Sequence, residues 1–234
     1  MGLTASEITA AVVARCRETY NMSDTRIICE FPLGDVRADV LVVFEQSLVV
    51  YEIKGEGDSF GERWKRQCQW YWHFAGNVVV VYAESLAAQA KKALNDHGSS
   101  YVQWAHEVEA REGGSGIELS SWPKFTPAPW YTHGKGDLDP CWRLAAMWRE
   151  EVIDLALHHG IPLKRSATKT AAVDILIKAL PAPAIHRGFI HALKTRDYES
   201  NSIWDRSGYI SPPLKIERSA KTLFETPAVT TAKE

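Results

Sequence analysis

The sequence is poor in cysteine, has no long apolar run and carries almost no net charge. Its four cysteines, Cys16, Cys29, Cys68 and Cys141, include no C-x-x-C pair. Neither a zinc site nor a dithiol redox motif is therefore expected, and scattered thiols fit a reducing compartment. No apolar run reaches the roughly 18 residues that a membrane-spanning helix needs. The N-terminus lacks the basic start of a signal peptide and has the spacing of an amphipathic helix instead. These absences lead us to expect a cytoplasmic protein with no membrane partner. None of the eight histidines stands at a spacing that demands a metal, and no internal repeat is present.

The formal net charge of −2 decides nothing by itself, but its distribution is informative. Residues 1–130 hold 12 Lys and Arg against 17 Asp and Glu. Residues 163–196 hold seven (Lys164, Arg165, Lys169, Lys178, Arg187, Lys194 and Arg196) against one, Asp174. An acidic first part joined to a short basic part suggests two jobs.

With 45% apolar residues among 234, the chain can bury a proper core. Thr4 and Glu7 fit a capping box opening a helix over 4–20, with Ile8, Ala11, Val12 and Cys16 on one face. Residues 26–31 read as a strand followed by a turn at 32–35. The runs at 37–44 and 48–54 read as two strands of a hairpin. Ser59 is placed to cap a helix over 59–75. NVVVVY, 77–82, reads as a strand buried on both faces, and 85–95 as a helix. Two further strands are expected around Gly113 to Gly116. Residues 122–140, rich in Pro, Gly and aromatics, read as a linker or ordered loop. From Pro140 the period is helical: one helix to Gly160, a turn and helix over 161–180, and another helix to 197. The expected division is 1–130, a linker at 131–139, a helical module at 140–197 and a tail at 198–234.

The stretch YEIKGEGDS at residues 51–59 is the chemically pointed one. Side chains alternate along a strand, so Glu52 and Lys54 share a face. If the hairpin turns on Glu45-Gln46, Asp39 lies opposite Glu52; a three-residue loop shifts the pairing by one. Two carboxylates, with the carbonyl of Ile53, suit a hard divalent cation such as Mg2+ or Mn2+. A nearby lysine can stabilise developing negative charge. Together these are equipment for phosphodiester hydrolysis.

Asp39 followed by Glu52-Ile53-Lys54 resembles the PD-(D/E)XK nuclease superfamily, with Ala38-Asp39 in place of Pro-Asp. The pattern E-x-K…D-S-x-x-x-R-x-x-x-Q-x-x-x-Y, ending on Arg63, Gln67 and Tyr71, is similar to small RecB-like proteins of bacteria and phages. The resemblance implies an α/β, restriction-endonuclease-like core of order α-β-β-β-α-β and a Mg2+- or Mn2+-dependent deoxyribonuclease. It implies that Asp39, Glu52 and the Ile53 carbonyl bind metal, that Lys54 acts on water or phosphate, and that Gln67 and Tyr71 border the site. Members often add an acid from the first helix; Glu7 and Glu18 are the candidates here, Glu7 being the preferred of the two, with closure of the capping box on Thr4 as its equal alternative role.

Residues 161–176 resemble a SAP-like helix-turn-helix, which implies DNA as the partner. Lys164, Arg165, Ser166, Thr168 and Lys169 surround a helix N-terminus, a ready anion site that would hold phosphates and read little sequence. The alternative is a non-catalytic nucleic-acid-binding or host-interaction protein on the same scaffold. The sequence leaves self-association as a homo-oligomer open.

Overall fold

The computed structural model describes residues 2–75, 77–96, 105–114, 116–123 and 140–197. The expected linker at 131–139 and tail at 198–234 lie outside the described residues.

Helix α1 (Ala5–Thr19) starts on the expected capping box: Glu7 N–H donates to Thr4 Oγ1 at 3.3 Å and Thr4 N–H to Glu7 Oε2 at 2.8 Å. Its apolar stripe of Ile8, Val12, Val13 and Cys16 is buried. Strands β1 (Arg26–Leu33) and β2 (Val36–Val43) form a tight hairpin, with Leu33 paired to Val36. The expected turn at 32–35 shrinks to Gly34-Asp35, where Gly34 has φ +62°, a left-handed conformation that glycine adopts without strain. Pro32 is tolerated inside β1 because that strand is the sheet edge.

Strand β3 (Leu48–Lys54) returns from β2 around Glu45-Gln46, with Phe44 N–H donating to the Ser47 carbonyl at 2.9 Å. Val43 pairs with Leu48 and Val40 with Tyr51, the two-residue register expected from the sequence. Helix α2 (Glu62–Phe74) leads to β4 (Asn77–Ala83), a 3-10 turn at 84–86 and α3 (Ala87–Asp96). Strands β5 (Ala105–Gly113) and β6 (Gly116–Leu119) complete a six-stranded sheet of order β1-β2-β3-β4-β5-β6. The sheet is mixed: β3–β4 and β4–β5 are parallel and the other joins antiparallel. The α-β-β-β-α-β-α order read from the sequence is therefore present, on a mixed α/β architecture.

Two expected details change. Ser59 does not cap α2; the N-cap is Gly61, which lends no side-chain bond. Asp58 instead folds back so that its Oδ2 accepts from Gly55 N–H at 2.8 Å, around Gly57 at φ +91°. The helix expected over 140–160 is two, α4 (Pro140–Ala146) and α5 (Arg149–His158), broken at an extended Trp148 whose N–H donates to Glu151 Oε2 at 2.6 Å. The Trp148 ring lies 4.4 Å under the Arg196 guanidinium, which itself pairs with Glu151 at 2.6 Å. The break is thus held by a residue 48 positions downstream, beyond the reach of helical periodicity.

Helices α6 (Lys169–Ala179) and α7 (Ala182–Thr195) follow. Helix α1 packs its stripe on one face of the sheet, against Ile27, Val40, Val42, Val49, Val79 and Val81. The other face carries α2, α3 and the C-terminal helices: Leu144, Val152, Leu176, Ile185 and Phe189 share one core with Ile28, Leu41 and Val50. The boundary expected at 140 separates stretches of chain, not cores. Among the described residues, no helix is long and apolar enough to cross a membrane.

The start of α1 abuts the end of β3. Glu56 N–H donates to the Leu3 carbonyl at 2.7 Å, and a Cβ on Gly55 would lie 2.1 Å from Ala5 N. Backbone cannot yield to that overlap. Gly55→Ala is expected to lower stability by about 1–3 kcal/mol, measured by urea denaturation; an unchanged midpoint would show that the junction relaxes freely.

Candidate functional site

The hairpin register delivers Asp39 to the edge of β3, where its Oδ2 accepts from Ile53 N–H at 2.6 Å. Glu52 and Lys54 project toward α2, as their alternation requires. Lys54 Nζ donates to Glu52 Oε1 at 2.5 Å and to Gln67 Oε1 at 3.3 Å. Gln67 Nε2 donates to Tyr71 Oη at 3.2 Å, one helical turn away on the same face of α2. The Tyr71 hydroxyl contacts Glu52 Oε2 and, at 3.0 Å, the Arg37 carbonyl. It has one proton, and the shorter contact goes to the carboxylate, where a charge-assisted bond is stronger. Four of the five residues named as catalytic from the sequence, Glu52, Lys54, Gln67 and Tyr71, thus meet in one hydrogen-bonded network under α2. Asp39 stands beside it, bonded to the Ile53 peptide and acted on by the charges of Glu52 and Lys54. Glu52 is 1% exposed and Lys54 7%.

Burial, followed by the charge of Glu52, pushes the Asp39 carboxyl up to about 8, against the opposing pull of Ile53 N–H and Lys54. Burial, and then Glu52, holds the Tyr71 hydroxyl well above its ordinary value, so Tyr71 stays a donor. A buried carboxylate, Glu52, and a half-buried one, Asp39, that repel each other, the latter turned to a backbone peptide, form a donor set that suits a hard divalent cation.

Glu7 does not join this pair. It is fully exposed, and the Thr4 hydroxyl and N–H hold its carboxyl below the usual range. Glu18 is remote as well, paired with Arg15 at 3.2 Å. Among the described residues no group of three or more His, Cys, Asp or Glu is placed to hold a metal ion. Arg63 enters no bond of the network described above. The sequence reading missed Glu30. It stands opposite Asp39 on β1, where its charge also acts to raise the Asp39 carboxyl. The signal was present: with the turn confined to Gly34-Asp35, pairing inward from Leu33 and Val36 brings residue 30 to residue 39.

The proposed DNA contacts divide. Lys164, Arg165 and Ser166 are exposed on the loop before α6. Thr168 is the N-cap of α6, accepting from Ala171 N–H at 3.2 Å. Lys169 donates to the Ala145 carbonyl at 2.6 Å, fastening α6 to α4.

A family model described as Bacteriophage P4 protein cII matches residues 3–99, a segment that holds Asp39, Glu52, Lys54, Gln67 and Tyr71. No curated protein matches the chain. Among solved structures, the chain is similar to SfsA of Pyrococcus furiosus, in complex with Ca2+, at 14% sequence identity and a TM-score of 0.34. That similarity covers 49% of this chain and 62% of the other, under two thirds of its length. Residues 3–99 of the protein are therefore similar to a bacteriophage protein family.

A carboxyl whose pKa is higher in the folded chain than in the unfolded one holds its proton more tightly when folded. The stability it contributes is full below the ordinary value of 3.8 and is lost as pH rises through about 8. The melting temperature of metal-free protein is expected to fall across that interval, and Asp39→Asn to flatten the fall. Calorimetry in EDTA measures both; equal slopes in the two proteins would remove Asp39 as the source.

Proposed function

We propose that the protein is a metal-dependent nuclease that hydrolyses DNA, acting in phage DNA processing. The observation that carries this reading is the meeting of Asp39, Glu52 and Lys54, drawn from two strands, with Gln67 and Tyr71 from the following helix. The match of residues 3–99 to a bacteriophage family supports the phage setting.

Asp39 and Glu52 would hold Mg2+ or Mn2+, with the Ile53 peptide beside them. Such an ion, when bound, polarises a phosphoryl oxygen and acidifies a water. The remaining roles belong to the chain. Lys54 would bring a cation to a scissile phosphate and stabilise the charge that develops there. Gln67 holds the Lys54 ammonium with its oxygen and the Tyr71 hydroxyl with its amide, and so fixes the direction of both. Tyr71 fixes Glu52 from the helix side.

Lys164, Arg165 and Ser166 would anchor the DNA backbone away from the acidic strands. The loop that carries them is braced from α5: Arg149 donates to the Ala167 carbonyl at 2.9 Å and also to the Arg165 carbonyl.

Lys54→Ala and Asp39→Ala are expected to lose Mg2+-dependent degradation of linear, circular, branched or single-stranded DNA by about 100- to 1000-fold. Degradation by both variants at the wild-type rate would sink the reading. In a filter-binding titration against salt, the pair Lys164→Ala and Arg165→Ala is expected to weaken binding alike on every sequence and to lower the salt slope by about two. Lys169→Ala is expected to lower stability and to leave that slope unchanged.

A further inference from the structure

We propose that Glu30 is the residue that positions Asp39, and that it does so through its backbone rather than its carboxylate. The inference rests on the reading of Asp39 as a working residue of the site.

Glu30 has φ +57° in the middle of a strand. That conformation is uncommon for any residue but glycine. It persists only where the surroundings impose it, and such places cluster at functional sites. The strand ladder records the consequence. Cys29 pairs with Val40 and Phe31 with Ala38, but the pair between them, residues 30 and 39, is missing. No residue is inserted, because the register is the same on both sides.

The side-chain faces change at the same point on both strands. On β1, Ile28 packs toward α2 and Cys29 toward α1. Regular alternation would send residues 31 and 33 to the α1 side with Cys29. Phe31 and Leu33 instead pack on the α2 side. On β2, Val40 and Val42 face α1, and alternation would place Ala38 and Val36 with them. Both lie with the α2 side instead. The hairpin therefore kinks at the Glu30–Asp39 pair, and everything beyond it curls toward α2.

The kink explains how Asp39 reaches Ile53. The β2–β3 pairing stops at Val40↔Tyr51. Continued, it would set Ile53 against Ala38, backbone to backbone. With residues 36–38 curled away, Ile53 N–H loses that partner and the Asp39 carboxylate accepts from it instead. Two contacts hold the curled tip: the Tyr71 hydroxyl lies 3.0 Å from the Arg37 carbonyl, and Arg66 of α2 pairs with Asp35 at 2.5 Å. The Glu30 carboxylate pairs with Arg37, the two side chains being 32% and 59% exposed, and a pair this open to solvent adds little.

The test uses the full chain and the backbone amide of Ile53 in a 15N–1H correlation spectrum. Asp39→Ala marks where that resonance moves when the bond is lost. Glu30→Gly and Glu30→Asn tolerate a positive φ and are expected to keep the wild-type Ile53 shift. Glu30→Val does not tolerate it, and its Ile53 resonance is expected to move toward the Asp39→Ala position while the amides of α1 stay in place. An unmoved Ile53 in Glu30→Val overturns the proposal. So does a moved Ile53 in Glu30→Gly or Glu30→Asn, which would assign the work to the carboxylate, and this arm decides even if the valine variant fails to fold. In DNA degradation, Glu30→Val is expected to lose about a hundredfold, as for a misplaced group, with Glu30→Gly near wild type. If Asp39→Ala and Glu30→Val both degrade DNA normally while Ile53 moves as stated, the positioning stands and the nuclease reading fails.

Discussion

The turn at Glu45-Gln46 is the constraint on which the rest depends. It closes over two residues, with Phe44 N–H on the Ser47 carbonyl. That closure puts Val43 opposite Leu48 and Val40 opposite Tyr51, so the paired register ends one residue short of Asp39 and Glu52. A slip of one residue would turn every side chain of β3 to the other face. Glu52 and Lys54 would then lie against α1, and Ile53 and Tyr51 against α2. The turn is not left to itself. The Gln46 carbonyl can only accept, and it lies 3.1 Å from His186 Nε2 on α7. Burial, and then the charge of Arg143, holds His186 well below its ordinary value. A neutral ring with its proton on Nε2 meets both conditions.

That bond shows what the C-terminal helices contribute to the sheet. Charges that look available for a partner in the sequence are partly spent on the fold. Lys194 donates to the Asp24 carbonyl at 2.6 Å, ahead of β1. Arg26, fully buried on β1, donates back to the Leu193 carbonyl at 2.7 Å. Arg196 pairs with Glu151 across the α5–α7 junction. With Lys169 turned to Ala145, three of the seven cations in 163–196 are committed to the protein's own groups. The positive surface is smaller than the charge count suggests, and it centres on the loop at 164–166.

The network under α2 gains its character from burial. Desolvation makes it costly for Asp39 to ionise beside Glu52, and the same desolvation keeps Tyr71 protonated. Each oxygen of Glu52 already has a donor, Lys54 on one side and Tyr71 on the other. The cluster is thus polarised and closed, with its repulsion concentrated between two carboxylates on adjacent strands. In a low-dielectric setting such fully paired networks specify one geometry, because any unpaired member is costly.

What could be read directly was what depends on nearest neighbours and on period. Alternation placed Glu52 and Lys54 on one face, the i, i+4 spacing placed Gln67 with Tyr71, the Thr4–Glu7 box opened α1, and a two-residue turn led to Asp39. Elements set by contacts distant in the chain were not legible. The break at Trp148 depends on Arg196, the loss of Lys169 to Ala145 depends on how α6 meets α4, and Glu7 fell to its local capping bond because α1 turns it to solvent. Glu30 lies between these cases: its pairing follows from the turn at Gly34-Asp35, but its left-handed backbone does not. The sequence by itself determined the faces and the register, since both follow from the chain's own geometry. Only the tertiary structure decided where the hairpin bends and which charges stay free, since those depend on packing between segments that local pattern does not connect.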